Sequence, residues 1–373
     1  MTTQQEVGGT AIIGFGSTEV TREPTDAIGS YAVRAVKAAL ESAGLAKEEI
    51  DGYVGAPGLP SYSTNHWDGA DEVSAEYMLS VLGLRPRWSA DTSGLVLGMV
   101  AAARGALLSG MCQYVLGVRA LYYRKGSAYS SVSKTGVGGT DQFTLPYGYG
   151  PGGTRHAQWL SRYNDENGAT RQDLYAIVKA AHAHARLNPN AYWKNSTLTL
   201  EEYLESRWVS EPLCLYDCDI PVTGAAAFVM STTETARTRG LSFATVTSMS
   251  NGYHPRAALA DAGLTVKDIQ VCQLYDGFAC FPYVWYEALG FCPEGTAHRF
   301  IQDGTIELGG AIPTNTFGGS LGEGRMHGIG HLQEAYLQLT DQAGARQVAN
   351  VEHELVQVGA PDRSWVAVLS RGS

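Results

Sequence analysis

The chain has 373 residues, 44% hydrophobic and 17% charged, which is the composition of a folded globular protein long enough for two domains or one duplicated fold. Its formal net charge of -10 and its lack of a lysine and arginine cluster argue against nucleic acid or an anionic membrane surface as the main partner. The first residues contain no basic segment with a long apolar core, and no run of about eighteen apolar residues occurs. We therefore expect a cytoplasmic protein.

The first predicted elements form a unit that recurs later in the chain. KAALESAGLAKEEID at 37–51 matches RAALADAGLTVKDIQ at 256–270 at seven positions, with a constant offset of 219, as in Ala39 and Ala258. Each copy predicts a helix stopped by a glycine. A β-rich run precedes each copy (TAIIGFGS and FATVTSMS), and another follows (GYVGA and VCQLYDGF). The order predicts an internally duplicated α/β unit.

Each half also predicts one helix that follows a turn rich in small residues. In the first half it is DTSGLVLGMVAAARGALLSG at 91–110, which is apolar enough to be buried on nearly every side. In the second half it is NTFGGSLGEGRMHGIGHLQEAYLQL at 315–339, where six glycines precede or open the helix. Such glycines indicate either a backbone that approaches a ligand closely or a tight helix entry without a ligand.

Residues 118–210 fit neither copy and predict a loop or lid insertion rich in Tyr, Ser and Gly, followed by helices. The predicted halves are then 1–117 with part of 211–240, and 241–373. His182 and His184 lie two positions apart on a predicted helix and face different directions, and the six cysteines lack zinc-ligand spacing. We expect reduced core thiols and no metal site.

Five features in this order resemble the sterol-carrier-protein thiolase-like branch of the thiolase superfamily. Besides the duplicated halves, these are LNPNA at 187–191, EPLCLYDCDIPVTGAAAFV at 211–229, YDGF at 275–278 and NTFGGSLGEG at 315–324. The resemblance covers nearly the whole chain. It implies an α/β fold, a duplicated thiolase fold of two βαβ-rich halves in a layered α-β-α-β-α arrangement with a loop insertion.

The thiolase acid, base and nucleophile positions are all substituted. Asp91 stands where the resemblance places the nucleophilic cysteine, Tyr275 replaces the histidine of the H-D-x-F motif, and Gly324-Arg325-Met326 replaces the G-H-P motif. The C-terminal cysteine of many thiolases is missing as well. A carboxylate cannot form the acyl thioester, so thiolytic chemistry is not expected.

These substitutions resemble the thiolase-like steroid side-chain aldolases, also called lipid-transfer proteins. That resemblance implies retro-aldol cleavage of a β-hydroxyacyl-CoA with a steroid side chain, a reaction that needs a base and a site for the thioester enolate but no covalent intermediate. Coenzyme A then enters as part of the substrate, and no other cofactor is expected. The alternatives are a non-catalytic thiolase-like subunit and an acyltransferase or thiolase acting in a heteromeric complex.

Four residues are the predicted catalytic groups. Tyr275 matches the proposed acid/base tyrosine of the aldolases, with packing of the ring as the alternative, and Arg325 would lower the pKa of Tyr275 if the two meet. Arg325 occupies the place of a second tyrosine in that family, and an ion pair with Glu323 is its alternative. His327 would donate to the enolate or the thioester oxygen. Asp91 either caps the buried helix through Ser93 or Gly94 or reaches the substrate hydroxyl, and the capping role is favoured.

The predicted substrate-binding residues surround these groups in the glycine-rich loop and the Y-D-x-F segment. They are Asn315, Gly318, Gly319, Gly324, Gly328 and Asp276. Asn315 is expected to fix the loop by side-chain to backbone hydrogen bonds, and His331 is expected to be structural.

The resemblance also implies partners. We expect a homodimer core formed through first-half strands within 88–120, because these would otherwise leave a sheet edge open. A small protein with an OB-fold and a zinc-ribbon-like segment is expected to help hold the coenzyme A moiety, giving a heterotetramer with two copies of each chain. The negative charge of this chain supports a second chain that supplies positive charge.

Overall fold

A computed structural model describes residues 9–57, 73–92, 95–123, 139–149, 153–360 and 363–372. The strands within these ranges are β1 (Thr10–Ser17), β2 (Gly52–Gly55), β3 (Trp88–Asp91), β4 (Val115–Leu121), β5 (Trp208–Ser210), β6 (Leu213–Cys214), β7 (Gly224–Thr232), β8 (Ala244–Asn251), β9 (Val271–Leu274), β10 (His353–Ala360) and β11 (Arg363–Arg371).

The α-helices within the same ranges are α1 (Ile28–Ala43), α2 (Ala75–Leu82), α3 (Val96–Leu108), α4 (Thr154–Asn167), α5 (Arg171–Ala185), α6 (Leu200–Glu205), α7 (Thr233–Thr238), α8 (Ala257–Asp261), α9 (Phe281–Leu289), α10 (Ala297–Phe300), α11 (Gly319–Gly322) and α12 (Ile329–Leu339). None of them is long and apolar enough to cross a membrane.

The sheet topology contains the duplication that the sequence predicts. Nine described strands are ordered β3-β2-β4-β7-β1-β8-β11-β10-β9, and the two copies meet where β1 pairs antiparallel with β8. From this centre outward, β1-β7-β4-β2 has the same sequence of antiparallel, antiparallel and parallel pairings as β8-β11-β10-β9. The duplicated α/β unit is therefore confirmed.

The helix of each copy ends as its glycine predicts. Gly44 follows α1 with a φ of 62°, and Gly263 lies just after α8 with a φ of 69°, both in the left-handed region that glycine adopts without strain. The helix of the second copy is shorter. Within the first copy, a Cβ at Gly14 would lie 2.6 Å from the Ala43 side chain, so small residues allow β1 and α1 to pack closely.

Helices α3 and α12 pack between the two copies. Helix α3 contacts β1, β2, β4 and β7 of the first copy and β11 of the second, whereas α12 contacts β8, β9, β10 and β11 of the second copy and also β1 and β7. Both helices contribute to one large hydrophobic core, and α1 and α2 cover a second core on the other face of the first-copy strands. The two predicted buried helices are confirmed, although the first begins at Val96.

The segment predicted as an insertion holds α4, α5 and α6, and its residues 124–138 and 150–152 lie outside those described. The boundary placed at 117 falls inside β4, which runs to Leu121. The division into domains otherwise stays a prediction.

Candidate active site

The predicted site residues of the second half meet at the end of β9. Tyr275 and Asp276 follow the last residue of this strand, and the loop from Asn315 to Gly328 leads into α12. The segment before β7 joins them, because Asp219 N–H donates to the carbonyl of Gly277 at 3.1 Å and Arg325 N–H donates to the carbonyl of Ile220 at 2.7 Å. Three separate stretches of chain thus form one cluster.

Asp276 holds the glycine-rich loop in place. Its carboxylate is fully buried and accepts hydrogen bonds from the backbone N–H groups of Ser320 at 2.7 Å and Leu321 at 3.2 Å, and it is bonded to His331 Nε2 at 3.1 Å. Gly319 makes this contact possible, because a Cβ there would lie 2.0 Å from the carboxylate, and its φ of 63° also favours glycine. The structural role predicted for His331 is confirmed.

Asn315 ties the loop to β9 as predicted. Its Oδ1 accepts from the N–H of Leu274 at 2.8 Å, and its Nδ2 donates to the carbonyl of the same residue at 2.7 Å. Asn315 has a φ of 51° and His327 a φ of 52°, conformations that side chains other than glycine seldom adopt. The surrounding contacts therefore hold two residues of this loop in unfavourable backbone conformations.

His327 is held neutral by the positive charge and the burial around it. Burial lowers its pKa well below the usual value, and the charges of Arg119 and Arg325 lower it further. Arg119 Nη2 contacts Nδ1 of the imidazole. A guanidinium has only donors, so Nδ1 must accept and the proton of the neutral ring must lie on Nε2. His327 is thus a donor at Nε2.

Arg119 is a site residue that the sequence interpretation did not select. It lies on β4, is 5% exposed, and its Nη1 donates to the carbonyl of Ala56. Burial lowers its pKa to about 10, which leaves the side chain charged at neutral pH. A lone arginine inside the apolar strand VLGVRAL was a signal that could have identified it, because an unpaired buried charge is costly.

The charge of Arg325 acts on Tyr275 and lowers its pKa as predicted, but burial outweighs this effect. Burial raises the pKa of Tyr275, and the nearby carboxyl of Asp219 raises it further, whereas the charges of Arg325 and Arg119 lower it by less. The pKa lies well above its ordinary value, so the side chain is a neutral phenol at neutral pH. Its ring packs near those of Phe281 and His331.

Asp219 is the second residue that the sequence interpretation missed. It is 3% exposed, and its Oδ1 has no hydrogen-bond partner among the described residues. Burial raises the pKa of this carboxyl to about 8, against the opposing charge of Arg325. The signal in the sequence was the pair of acids in DCD, inside an otherwise apolar run.

Asp91 contacts the start of α2, whereas the sequence predicted that it caps α3. Helix α3 begins at Val96 with Leu95 as its N-cap, whereas both carboxylate oxygens of Asp91 lie 3.1 Å from the N–H of Ala75, the first residue of α2. Asp91 is therefore not the N-cap of α3, because β3 carries it to α2 instead. The predicted bonds from Ser93 and Gly94 fall outside the described residues.

Glu323 accepts a hydrogen bond from a neighbouring asparagine. Its Oε1 accepts from Asn188 Nδ2 at 3.0 Å. Burial raises the pKa of Glu323 to about 7. The alternative ion pair between Arg325 and Glu323 stays a prediction.

The glycines predicted to bind substrate are packed against the protein itself. A Cβ at Gly328 would lie 2.2 Å from Val358, one at Gly324 would lie 2.8 Å from Val222, and one at Gly318 would lie 3.0 Å from Ala185. Close packing therefore explains why these positions need glycine. Their contact with a substrate stays a prediction.

The thiols of the chain are unsuited to covalent catalysis. All six cysteines are free and buried, as predicted. Burial raises the pKa of every one of them, to about 11 for Cys112 and Cys292. Since the thiolate is the nucleophile, none of these thiols is activated.

The cluster therefore combines a neutral imidazole donor, two guanidinium groups, a neutral phenol and a buried carboxyl. Donors and positive charges of this kind stabilise an oxyanion, and a phenol next to a carboxyl can transfer a proton. Within the described ranges, no group of three or more His, Cys, Asp or Glu side chains is placed to hold a metal ion.

Comparisons with known proteins match this chain over nearly its whole length. Residues 233–371 match the family model described as "Thiolase C-terminal domain-like". The chain is 32% identical to 17-hydroxy-3-oxo-4-pregnene-20-carboxyl-CoA lyase of Mycobacterium tuberculosis, over 94% of this chain and 96% of that protein. It is 31% identical to the steroid side-chain-cleaving aldolase of Thermomonospora curvata, over 94% of this chain and 95% of that one.

A solved structure extends the match to the fold. The "Ltp2-ChsH2(DUF35) aldolase" has a TM-score of 0.86 and 27% identity, and the alignment covers 98% of each chain. The duplicated thiolase fold is thus confirmed, and the similarity to a lyase and an aldolase over nearly the whole chain adds sequence evidence to the shared fold. The chain belongs to the thiolase superfamily, within the group of thiolase-like steroid side-chain aldolases.

Proposed function

We propose that this chain is an aldolase that cleaves a β-hydroxyacyl-CoA thioester of a steroid side chain by retro-aldol reaction. The full-length match to a lyase and an aldolase of steroid side chains is the observation that carries the proposal. The products are a ketone or aldehyde and a shorter acyl-CoA. Coenzyme A takes part only as a portion of the substrate.

The unactivated thiols favour this reaction over thiolysis. Cleavage of a β-ketoacyl thioester requires a nucleophile that takes up the acyl fragment, and burial raises the pKa of every cysteine in the chain. Cleavage of a β-hydroxyacyl thioester requires only that the hydroxyl lose its proton while the enolate is stabilised.

The hydrogen-bond donors and positive charges of the cluster would stabilise the enolate oxygen. A neutral imidazole with its proton on Nε2 donates a hydrogen bond without giving up the proton, and the charges of Arg119 and Arg325 favour the developing anion. A donor preorganised for such an oxyanion typically contributes ~3 kcal/mol to the lowering of the barrier. We assign His327 to the thioester oxygen, and Tyr275 to the β-hydroxyl of the substrate.

The test uses the compound in the name of the first relative, 17-hydroxy-3-oxo-4-pregnene-20-carboxyl-CoA. Retro-aldol cleavage between the carbon that bears the hydroxyl and the carbon next to the thioester releases a 17-ketosteroid and propanoyl-CoA. The matched control substrate lacks the 17-hydroxyl and must remain intact. Absence of both products, or cleavage of a β-ketoacyl-CoA that depends on free coenzyme A, would refute the proposal.

We also propose that the working form is a complex of this chain with a protein of the DUF35 type, since the similar solved aldolase is described as such a complex. Two copies of each chain would assemble around a homodimer of this chain. Strand β3 supports the dimer, because among the described strands it pairs only with β2 and leaves its other edge open.

Co-expression with the genomic neighbour of the DUF35 type tests the assembly. Light scattering of the purified material is expected to give the mass of two copies of each chain. A monomer of this chain with full activity and micromolar affinity for acyl-CoA would refute both the dimer and the partner.

A further inference from the structure

We propose that Asp219 takes up the proton of the substrate β-hydroxyl through Tyr275, an inference that rests on the proposed function. Tyr275 touches the substrate in this arrangement, and Asp219 acts behind it. Asp219 thereby gives the phenol a group to which its own proton can move.

The first support is position. Asp219 lies in the segment that is clamped between the Tyr275 turn and the glycine-rich loop, because its N–H donates to Gly277 and the neighbouring Ile220 bonds to Ser320 and Arg325 through its backbone. Pro221 also pairs with Arg325 in a parallel β-bridge. Backbone hydrogen bonds thus fix the carboxyl next to the end of β9.

The second support is that Oδ1 of the Asp219 carboxyl has no hydrogen-bond donor among the described residues. Asp217, two residues earlier, is equally buried but accepts from the hydroxyl of Tyr203 and the N–H of Cys214, both at 2.7 Å. In Asp219, Oδ1 is buried without a hydrogen-bond partner within the described chain. Burial of a polar atom without a partner is costly, and such a cost persists where a function requires it.

The third support is electrostatic. The charged and titratable groups that act on Asp219 and Tyr275 are Arg325, Arg119 and Asp276, and the ring of His331 also packs near the phenol. Their balance leaves the phenol protonated and gives the Asp219 carboxyl a pKa of about 8. An acid with a pKa near the working pH exchanges protons most effectively, whereas the phenol alone is a poor base.

The step balances as follows. The β-hydroxyl proton moves to the Tyr275 oxygen while the phenolic proton moves to the Asp219 carboxylate. The O–H bonding pair becomes the new C=O bond, the bond between the α and β carbons breaks, and its electron pair forms the thioester enolate. The same pair of side chains returns the proton to the enolate carbon, which yields the shorter acyl-CoA and restores both residues.

The other acids named above each accept at least one hydrogen bond. Asp276 has hydrogen bonds to three N–H groups, Glu323 accepts from Asn188, and Asp91 accepts from Ala75. His327 has its Nδ1 occupied by Arg119. Asp219 is therefore the acid of this cluster whose Oδ1 remains available.

The experiment measures kcat and KM of the complex from pH 6 to pH 10 for the wild type, Asp219→Asn, Tyr275→Phe and the double variant. Wild-type kcat should rise with pH through the pKa of Asp219, because only the carboxylate accepts a proton. Asp219→Asn should lower kcat by ~10²-fold or more, remove the rising limb and leave KM within about threefold. The double variant should be no slower than the slower single variant, since both residues serve one transfer.

Two matched variants distinguish this role from a structural one. Asp219→Glu keeps a carboxylate, so it should recover part of kcat and the rise of kcat with pH. Asp217→Asn should keep the rise of kcat with pH even if it lowers the thermal stability. An Asp219→Asn enzyme that retains the limb and more than about a third of kcat would overturn the inference and leave the proposed function standing. A wild-type complex that cleaves no substrate would refute the proposed function itself.

Discussion

Asp276 and Asp219 lie in the same buried cluster, and their surroundings differ in one respect. Asp276 accepts from two backbone N–H groups and is bonded to an imidazole nitrogen, so its oxygens connect β9 to the glycine-rich loop and to α12. The backbone N–H of Asp219 donates to the carbonyl of Gly277, and its Oδ1 has no hydrogen-bond partner in the described chain. Both carboxyls have a negligible exposed area.

The difference teaches how one cluster holds a structural carboxyl and a reactive one. Hydrogen bonds to an ionised carboxyl stabilise the charged form, so a carboxyl with three donors serves to organise the chain. Burial raises the pKa of Asp219 to about 8, so this carboxyl can change its protonation state near neutral pH. Removing each group separately should therefore have opposite consequences for stability.

The largest expected effect comes from Asp276→Ala. The change leaves the N–H groups of Ser320 and Leu321 and the His331 ring without their acceptor, and we expect a loss of about 4 kcal/mol in the free energy of unfolding. Urea unfolding measures it. The control is Asp261→Ala on the exposed end of α8, expected within about 0.5 kcal/mol of the wild type. Equal losses in the two variants would contradict the structural role of Asp276.

Asp219→Asn should change how stability depends on pH. The pKa of Asp219 is about 8 in the folded chain and ~3.9 when unfolded, so the folded state binds this proton more tightly between those values. The contribution to stability is fully present below pH ~4 and is lost as the pH rises through about 8. Between pH 5 and pH 8 the loss is on the order of 3 kcal/mol, and the amide variant lacks it.

Urea unfolding of the wild type and Asp219→Asn at pH 5 and pH 8 measures this change. The variant should gain stability relative to the wild type as the pH rises. If the free energy of unfolding changes equally with pH in the two proteins, the pKa of Asp219 is not raised. Asp219 would then not differ from Asp276 in this respect.

The donors of the cluster can be tested in the same way through Arg119→Lys. The lysine keeps the charge but lacks the two guanidinium nitrogens that contact the Ala56 carbonyl and Nδ1 of His327 at the same time. The imidazole tautomer is then no longer fixed. We expect kcat to fall about tenfold, equivalent to ~1.4 kcal/mol in the barrier. Steady-state kinetics measures the change, and a loss of less than about twofold would separate Arg119 from the reaction.

The smallest expected effect is that of Asp91→Ala. Removal of its hydrogen bond to the N–H of Ala75 should weaken the start of α2 by ~1 kcal/mol. Thermal unfolding measures this loss. A fall in kcat of more than about tenfold without further destabilisation would support the catalytic role predicted for Asp91.

The sequence by itself determined the duplicated fold and much of the site loop. The repeat at 37–51 and 256–270, each with a glycine stop, predicted the two matching sets of strands, since local propensity and tertiary packing agree there. It also predicted that the Asn315 side chain bonds backbone groups, although the partner, Leu274 on β9, is 41 residues away and is set by the tertiary structure.

Only the tertiary structure decided which charges meet and with what result. Arg119 on β4 and Asp219 before β7 lie far in sequence from Tyr275 and His327, and the fold brings all four together. Sequence reasoning predicted correctly that Arg325 lowers the pKa of Tyr275, but it did not include the larger opposing effect of burial. The shift is a sum of desolvation and all neighbouring charges, and both depend on burial in the folded chain. For the same reason Asp91, which the sequence predicted to cap α3, accepts a hydrogen bond from the first residue of α2.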